Sequence, residues 1–413
     1  MKFEQYNFVS PLKRNLEKLG FRKPTDIQYK SIPPILKGED VLAIAQTGTG
    51  KTAAYAIPVI QLLTVRQSRM DDYFVRCVVM VPTHELAIQV AEVFETLMDG
   101  TGLNVLGLFG GVEQAPQIEK LKKGVDVLVA TPGRMFDLAS QGFLLFTSVE
   151  ILILDEADHM LELGFITDMQ QLIRRIPKER QTLFFSATIN EHIKDLAYGL
   201  VRHAVRIHIS PKDPVSKNID HAVAFVEMDD KRFFLERIIK EHPDSKMLIF
   251  VRTKIRAERV AKALERVGIS SQTIHGNKDQ DERSQVMKNF KEGSNKILIA
   301  TDVSSRGIDI PNVEFVVNYD LPEVAENYVH RVGRTGRGTQ RGTAISFCST
   351  EEKEILSEIE SFLTNPIAIM SINKDEYEAT IDLSEAASHD WQALINEQNA
   401  FEASHKKKGK KKK

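Results

Sequence analysis

Two short stretches of this chain combine residue types that handle phosphate. The first, AQTGTGKT at residues 45–52, follows the apolar run VLAIA and precedes a helical pattern. Glycines let backbone N–H groups turn toward a phosphate chain, and a helix start adds a favourable dipole. In such a loop Lys51 reaches the β- and γ-phosphates and the Thr52 hydroxyl ligates Mg²⁺. The stretch predicts a nucleotide-binding loop, although Ala45 replaces the first glycine of the strict pattern.

The second stretch, ILILDEADHML at residues 151–161, places three carboxylates directly after four apolar residues. Taken alone, these acids are as typical of a solvated turn as of a catalytic site. An NTPase needs a second strand whose terminal acid holds Mg²⁺ and whose neighbour activates water. Because the phosphate loop is also present, we interpret Asp155 as the metal-associated carboxylate and Glu156 as the water-activating one.

The elements that must position these groups follow an alternating pattern. Continuous apolar runs of strand length alternate with helical stretches, which is typical of parallel sheets covered on both faces. The pattern is interrupted at SPKDPVSKN, residues 210–218, and fails beyond about residue 365. We predict a first α/β domain over 1–209, a linker over 210–218, a second α/β domain over 219–365 and a polar tail over 366–413. Ligands of open α/β sheets bind at the carboxyl ends of the strands, so the motifs should lie there.

The composition is that of a soluble protein. The chain has 413 residues, 42% hydrophobic and 27% charged, and no apolar run approaches the roughly 20 residues that span a bilayer. Its first residues, MKFEQYNF, do not resemble a secretory signal. Cys77 and Cys348 lie far apart in apolar runs, so we expect buried free thiols of a reducing compartment. These features predict a cytoplasmic protein without membrane contact.

The lysine-rich end is the main asymmetry of charge. KKKGKKKK at residues 406–413 carries seven lysines, and without them the chain has 48 basic against 57 acidic residues. Such a block is typical of a solvated, disordered end, and it also attracts polyanions. The two interpretations are compatible, and both stay open.

Further motifs accompany the two phosphate-handling stretches in a fixed order. They are GFRKPTDIQ (20–28), PTHELA (82–87), TPGR (131–134), SAT (186–188), TDVSSRGIDI (301–310) and HRVGRTGR (330–337). This series resembles the DEAD-box ATP-dependent RNA helicases of superfamily 2, over roughly residues 3–350. The resemblance implies two tandem RecA-like domains, ATP and Mg²⁺ as cofactors, and a bacterial-type minimal monomer. It also implies an RNA-stimulated ATPase that binds the RNA backbone with little sequence preference and unwinds short duplexes.

The resemblance assigns nucleotide contacts residue by residue. Gln28 reads the adenine edge, Phe21 stacks on the base with Phe3 behind it, and Asp309 takes the ribose hydroxyls. Arg334 and Arg337 are implied arginine fingers on the γ-phosphate. The implied nucleotide-binding set is Phe21, Gln28, Ala45, Gln46, Thr47, Gly48, Thr49, Gly50, Lys51, Thr52, Gly307 and Asp309. The implied catalytic set is Lys51, Asp155, Glu156, Arg334 and Arg337, with Thr52 and Asp155 at the metal.

The resemblance also implies residues that couple hydrolysis to RNA. Ser186 and Thr188 are expected to hydrogen-bond to the DEAD acids, Asp158 to link the ATP site to SAT, and His330 to bridge the domains. The implied RNA contacts are Thr83, Gly111, Thr131, Arg134, Gln280, Arg283 and Thr301.

One departure from the family pattern concerns His84, where PTHELA usually has arginine. A neutral histidine lacks the fixed charge and bidentate donor of arginine. Weaker or pH-sensitive RNA binding and a neutral surface substitution are both consistent with this change, and we expect Thr83, Thr131 and Arg134 to be the safer RNA contacts.

Two other functions remain open at this point. A DNA-directed superfamily 2 translocase shares the nucleotide motifs, although the motif series disfavours it. An ATP-gated RNA clamp or annealing factor would use the same residues, so the sequence barely separates it from a helicase.

Overall fold

The structure is a computed structural model of the 413-residue chain. It describes residues 2–46, 48–66, 75–188, 191–209, 215–302, 313–336, 340–363 and 365–382. Within them the chain forms two seven-stranded sheets whose pairings are parallel. This architecture confirms the predicted fold of two tandem RecA-like domains, each a parallel sheet flanked by helices.

The first sheet has the strand order β3-β4-β2-β5-β6-β1-β7. Its strands are β1 (Val41–Ala45), β2 (Cys77–Met80), β3 (Val105–Leu108), β4 (Val127–Ala130), β5 (Ile151–Leu154), β6 (Gln181–Ser186) and β7 (Val205–Ile209). The flanking helices are α1 (Ser10–Lys18), α2 (Asp26–Leu36), α3 (Lys51–Val65), α4 (His84–Met98), α5 (Ala115–Lys122), α6 (Pro132–Ser140), α7 (Ala157–Glu162), α8 (Ile166–Arg175) and α9 (Glu191–Leu200).

The second sheet has the order β10-β11-β9-β12-β13-β8-β14. Its strands are β8 (Ile219–Phe225), β9 (Met247–Phe250), β10 (Gln272–Ile274), β11 (Ile297–Ala300), β12 (Phe315–Asn318), β13 (Gly342–Cys348) and β14 (Ala368–Ile369). Its helices are α10 (Lys231–Glu241), α11 (Lys254–Arg266), α12 (Gln280–Glu292), α13 (Ala325–Val332), α14 (Lys353–Leu363) and α15 (Lys374–Asp382).

The strand order of the first sheet separates two groups of motifs. The adjacent strands β5, β6 and β1 end at the DEAD acids, at SAT and at the phosphate loop. The adjacent strands β3, β4 and β2 end at the glycine pair Gly110–Gly111, at TPGR and at PTHELA. Since carboxyl ends of parallel strands meet at one edge, the nucleotide motifs and the predicted RNA motifs lie side by side there.

Both faces of each sheet are buried, as continuous apolar strands require. The strands β2, β4 and β5 are buried along their whole length, and α3 packs ten buried residues against them and its neighbours. Helix starts are capped by side-chain oxygens, as at Thr83 and Thr253, which accept hydrogen bonds from the N–H groups of Leu86 and Arg256.

The structure departs from the sequence prediction at the edges of both sheets. The edge strand β7 was not predicted, because VRIHI alternates charged and apolar residues in too short a run. Part of the predicted polar tail is ordered: β14 pairs with β8, and α15 packs on α10 through Tyr377, whose hydroxyl donates to Asp230 at 2.7 Å. Only tertiary contacts stabilise these short, polar elements.

Both cysteines are free and buried, as expected. In the part of the chain that the structure describes, no helix is long and apolar enough to cross a membrane. The sole tryptophan, Trp391, and the lysine-rich end lie outside the described residues.

Candidate active site

The phosphate loop joins β1 to α3 through glycines in the left-handed region. Gly48 has φ 79° and Gly50, the N-cap of α3, has φ 91°. A Cβ on Gly50 would lie 2.5 Å from Nε2 of Gln28, so a larger residue would displace the Gln28 side chain as well as strain the backbone. Thr49 closes the turn by donating its hydroxyl to the Gln46 carbonyl at 2.7 Å. Ala45, where the strict pattern has glycine, is buried at the end of β1.

The residues implied to read adenine are tied to this loop. The Gln28 amide accepts from the Thr25 N–H at 2.9 Å and donates to the Gly50 carbonyl at 3.3 Å. The Thr25 hydroxyl donates to the Thr49 carbonyl at 2.9 Å. Phe21 meets Phe3 edge-on, with ring centroids 5.6 Å apart. The described contacts place these side chains beside the loop, and their role in base recognition stays a prediction.

Lys51 is a buried cation surrounded by acids. Its side chain is 7% exposed, and its Nζ atom has no hydrogen-bond partner in the described ranges. Its positive charge favours the ionised forms of Asp155, Glu156 and Asp158, and so opposes the increase in their pKa values that burial causes. An unpaired buried ammonium is costly, so this group is suited to an anionic ligand.

The pKa values of the two acids after β5 are shifted in opposite directions. Burial, opposed by Lys51 and reinforced by Glu156, raises the pKa of Asp155 to about 6. Burial also raises the pKa of Glu156, but interaction with His159 and the charges of Lys51 and Arg334 outweigh it and lower this pKa to about 2. The difference between the two pKa values suits neighbouring carboxylates that perform different tasks.

The backbone at Glu156 is held in an unusual conformation. Its φ of 50° and ψ of 48° lie in the left-handed region, which non-glycine residues rarely adopt. Its N–H donates to Oδ1 of Asp155 at 3.0 Å, which fixes the two acids relative to each other. His159 Nδ1 lies 3.7 Å from Glu156 Oε2, beyond hydrogen-bond distance.

Tyr55 is a member of the site that the sequence interpretation missed. Its hydroxyl donates to Oδ2 of Asp155 at 2.8 Å, and its ring is fully buried on α3. Burial, with the charge of Asp155, raises the pKa of Tyr55 well above its ordinary value, so the hydroxyl remains a donor. Its spacing from Lys51, one helical turn, was the available signal.

Asp158 connects the acids to SAT, as expected. Its Oδ2 accepts from the N–H groups of Ala187 and Thr188 at 3.0 and 2.9 Å and from the Thr188 hydroxyl at 3.1 Å. The hydrogen bond expected from Ser186 is not formed: its hydroxyl is buried and has no partner in the described chain. Ser186 is the last residue of β6, where its side chain is enclosed by the sheet.

The second domain completes the site from the opposite side. Burial raises the pKa of Asp158, but the nearby His330 and Lys51 outweigh it and lower this pKa. His330 and Thr188 line one cavity of about 70 Å³ between the domains. The Arg334 side chain is 3% exposed, and its charge acts on Glu156. Four predicted residues, Thr47, Gly307, Asp309 and Arg337, lie outside the described residues.

The predicted RNA contacts of the first domain lie at adjacent loops. Thr83 and Thr131 are the N-caps of α4 and α6, and Gly111 has φ 77°. Arg134 is engaged within the domain: it donates to the Gln117 side chain at 3.0 Å and to the Val112 carbonyl at 2.7 Å. Arg134 therefore braces the loop that carries the glycine pair, and its contact with RNA stays a prediction.

Gln280 and Arg283, two of the implied RNA contacts, lie on α12 and contact the first domain. Gln280 Oε1 lies 3.1 Å from Nδ1 of His84, and Arg283 forms an ion pair with Glu85 at 2.7 Å. A Cβ on Gly111 would lie 3.4 Å from the Gln280 Cβ, so the glycine loop also faces α12. Their predicted RNA contacts, and that of Thr301 after β11, remain untested. Glu85 was not expected to take part.

Arg331 of HRVGRTGR is buried and makes contacts within the second domain. It is 2% exposed, contacts both carboxylate oxygens of Asp302, and donates to the Asp320 carbonyl at 2.7 Å. This arginine ties α13 to the end of β11. The sequence alone did not distinguish Arg331 from the other basic residues of the motif.

The oxygen ligands present fit Mg²⁺. This ion prefers carboxylate and hydroxyl oxygens, and Asp155 with Thr52 supplies both beside the unpaired Lys51 ammonium. Tyr55, three residues after Thr52 on α3, donates its hydroxyl to Asp155 at 2.8 Å.

Comparisons with known proteins agree with this geometry. Residues 25–196 match the DEAD/DEAH box helicase family and residues 230–339 match the helicase conserved C-terminal domain. The DEAD-box ATP-dependent RNA helicase CshA of Geobacillus kaustophilus is 39% identical over 360 residues, which cover 87% of this chain and 76% of CshA. The chain belongs to the DEAD-box ATP-dependent RNA helicases. This assignment confirms the predicted ATP-driven, RNA-binding helicase.

Solved structures of DEAD-box helicases indicate the domain arrangement. Dbp5 of S. cerevisiae bound to RNA and ADP BeF3 gives a TM-score of 0.81 at 30% identity, covering 92% of this chain and 97% of that one. A Dbp5 variant bound to nup159, gle1, IP6 and ADP gives 0.62 at 28% identity, covering 91% and 97%. The two domains of this DEAD-box helicase are therefore arranged more like those of the RNA-bound complex.

Proposed function

We propose that this DEAD-box helicase binds ATP with Mg²⁺ between its two domains and transmits the state of that site to RNA through Asp158, Thr188 and His330. The observation that supports it best is the buried Lys51 ammonium without a hydrogen-bond partner in the described residues. It lies among three acids of the first domain, and the Arg334 charge reaches one of them from the second.

Thr52 and Asp155 hold the metal ion in this proposal. When bound, Mg²⁺ supplies positive charge that stabilises the phosphate oxygens. Glu156, with its low pKa, remains ionised and accepts a proton from the attacking water. Lys51 and Arg334 bind the phosphates from the two domains, so the site is complete only when the domains are together.

Coupling to RNA follows from the neighbouring strand ends. The ends of β3, β4 and β2 carry Gly111, Thr131 and Thr83, and they adjoin the strands that carry the nucleotide site. Hydroxyls and backbone N–H groups contact RNA phosphates without reading bases. Binding is therefore largely independent of sequence, and local unwinding accompanies domain closure.

The remaining features are consistent with a cytoplasmic monomer. One chain supplies both halves of the site, so a second copy is not needed. Free, buried thiols at Cys77 and Cys348 suit a reducing compartment. The lysine-rich end adds non-specific affinity for RNA.

The coupling proposal is tested with His330→Ala. We expect ATP binding to stay within about threefold of wild type, while stimulation of ATPase activity by RNA falls at least about tenfold. Lys288→Ala, on an exposed face of α12, serves as the control. Full RNA stimulation in His330→Ala would exclude the proposed bridge.

A further inference from the structure

A buried tyrosine hydroxyl contacts Asp155, one of the two residues that we assign to the metal. Tyr55 donates to Oδ2 of Asp155 at 2.8 Å, and Oδ1 of the same carboxylate accepts from the Glu156 N–H at 3.0 Å. Each oxygen of Asp155 therefore has a fixed partner, which leaves the carboxylate one orientation. Thr52 lies three residues before Tyr55 on α3, which places the two residues on one face of the helix.

The tyrosine ring is itself held in place. It is fully buried; it packs edge-on against Phe185 with ring centroids 5.2 Å apart, and it lies tilted against Phe94 with centroids 6.2 Å apart. Phe185 belongs to β6, the strand between the phosphate loop and the acids. A ring locked by packing places its hydroxyl with little conformational freedom, as supporting residues of metal ligands require.

We propose that Tyr55 is a positioning residue for the metal–nucleotide site, whose hydroxyl fixes the orientation of the Asp155 carboxylate. This inference rests on the proposed Mg²⁺ site. Tyr55 does not touch nucleotide or metal in this arrangement; it acts through Asp155. Partners of this kind tune affinity by about 10- to 100-fold in metal sites.

The test is the Mg²⁺ dependence of nucleotide binding by the full chain. Binding of a fluorescent ADP analogue is measured in EDTA and then across a Mg²⁺ titration, for wild type and Tyr55→Phe. We expect equal affinities in EDTA and a Mg²⁺ midpoint at least about fivefold higher in Tyr55→Phe. Electron paramagnetic resonance of Mn²⁺ with ADP gives an independent reading of metal occupancy.

The matched control is Tyr377→Phe. It removes the same kind of bond, a tyrosine hydroxyl donating to an aspartate, at 2.7 Å in the second domain. This variant should keep the wild-type Mg²⁺ midpoint. Both variants should melt within about 5 °C of wild type, since Tyr55→Phe loses one hydrogen bond and Tyr377→Phe loses two, to Asp230 and from the Glu227 N–H.

A second background shows whether Tyr55 acts through Asp155. In Asp155→Asn, the further change Tyr55→Phe should have no additional effect on metal dependence, because the positioned carboxylate is gone. An unchanged midpoint in Tyr55→Phe alone, or an added effect in the Asp155→Asn background, would overturn the inference. A wild-type protein whose nucleotide affinity ignores Mg²⁺ would instead overturn the proposed metal site.

Discussion

The Arg283 guanidinium of the second domain lies 2.7 Å from the Glu85 carboxylate of the first. The two side chains are only 14% and 9% exposed, so the pair is mostly shielded from solvent. Arg283 is adjacent in space to Gln280, which contacts His84 from the same helix. The contact joins α12 to the start of α4, beside the loops predicted to hold RNA.

Removing one charge of this pair should disfavour domain closure. In Arg283→Gln, Glu85 keeps a poorly solvated charge without its partner, at a cost of about 2–3 kcal/mol. We expect the closed fraction, measured by energy transfer between dyes on the two domains with RNA and an ATP analogue, to fall at least about tenfold. The exposed pair Lys288–Glu292 is the control, and Lys288→Gln should leave closure unchanged. Equal closure in both variants would assign Arg283 no role in it.

Restoring arginine at residue 84 should strengthen RNA binding. His84 lies against the glycine pair and 3.1 Å from Gln280, at the edge of the predicted RNA path. His84→Arg adds a fixed charge, so single-stranded RNA affinity should rise severalfold, and its logarithmic salt dependence should steepen by about 0.7. His84→Gln, which adds no charge, should keep the wild-type slope. An unchanged slope in His84→Arg would place this residue away from RNA phosphates.

Neutralising Glu156 should separate binding from hydrolysis. Its low pKa keeps it ionised at neutral pH, as a proton acceptor requires. Glu156→Gln should retain ATP and RNA binding while RNA-stimulated ATPase activity falls at least about 100-fold. Glu162→Gln, at an exposed residue of the same helix, is the control. Normal turnover in Glu156→Gln would assign proton transfer to another group.

Gln28 should determine the preference for ATP. Gln28→Ala removes the implied adenine contact but also the bonds to Thr25 and Gly50 that support the loop. Gln28→Glu keeps the acceptor for the Thr25 N–H, removes the amide donors and adds a negative charge beside the phosphate loop. Both variants should lose most of the discrimination between ATP and GTP, measured by competition binding. A wild-type protein that binds GTP equally well would contradict base recognition by Gln28.

Asp155 should make the metal-free protein less stable as pH rises. Its folded pKa of about 6 exceeds its unfolded value near 3.8, so the folded state binds the extra proton. Its stabilising contribution is present below pH 3.8 and is lost as pH rises through about 6. Between pH 5 and 7.5 the loss is about 1.4 kcal/mol. Urea denaturation in EDTA should show this change in wild type relative to Asp155→Asn, and parallel pH profiles would refute it.

The fold was predicted correctly where the sequence of a segment determines its own conformation. The buried strands β1, β2, β4 and β5 are unbroken apolar runs, the pattern from which a parallel sheet was predicted. The edge elements β7, β14 and α15 were missed, because their short, mixed sequences depend on neighbours. Ser186 shows the same limit, since its enclosure by the sheet prevented the expected hydrogen bond.

The sequence by itself determined the chemistry available to this helicase. Glycine spacing, Lys51 and the acids after β5 specify a phosphate site, because backbone conformation and side-chain type are local properties. The tertiary structure decided which groups meet. Tyr55 reaches Asp155, Arg283 reaches Glu85 and Arg331 is enclosed with Asp302, across 100, 198 and 29 residues. Such pairings depend on strand order and domain arrangement, and no local pattern encodes them.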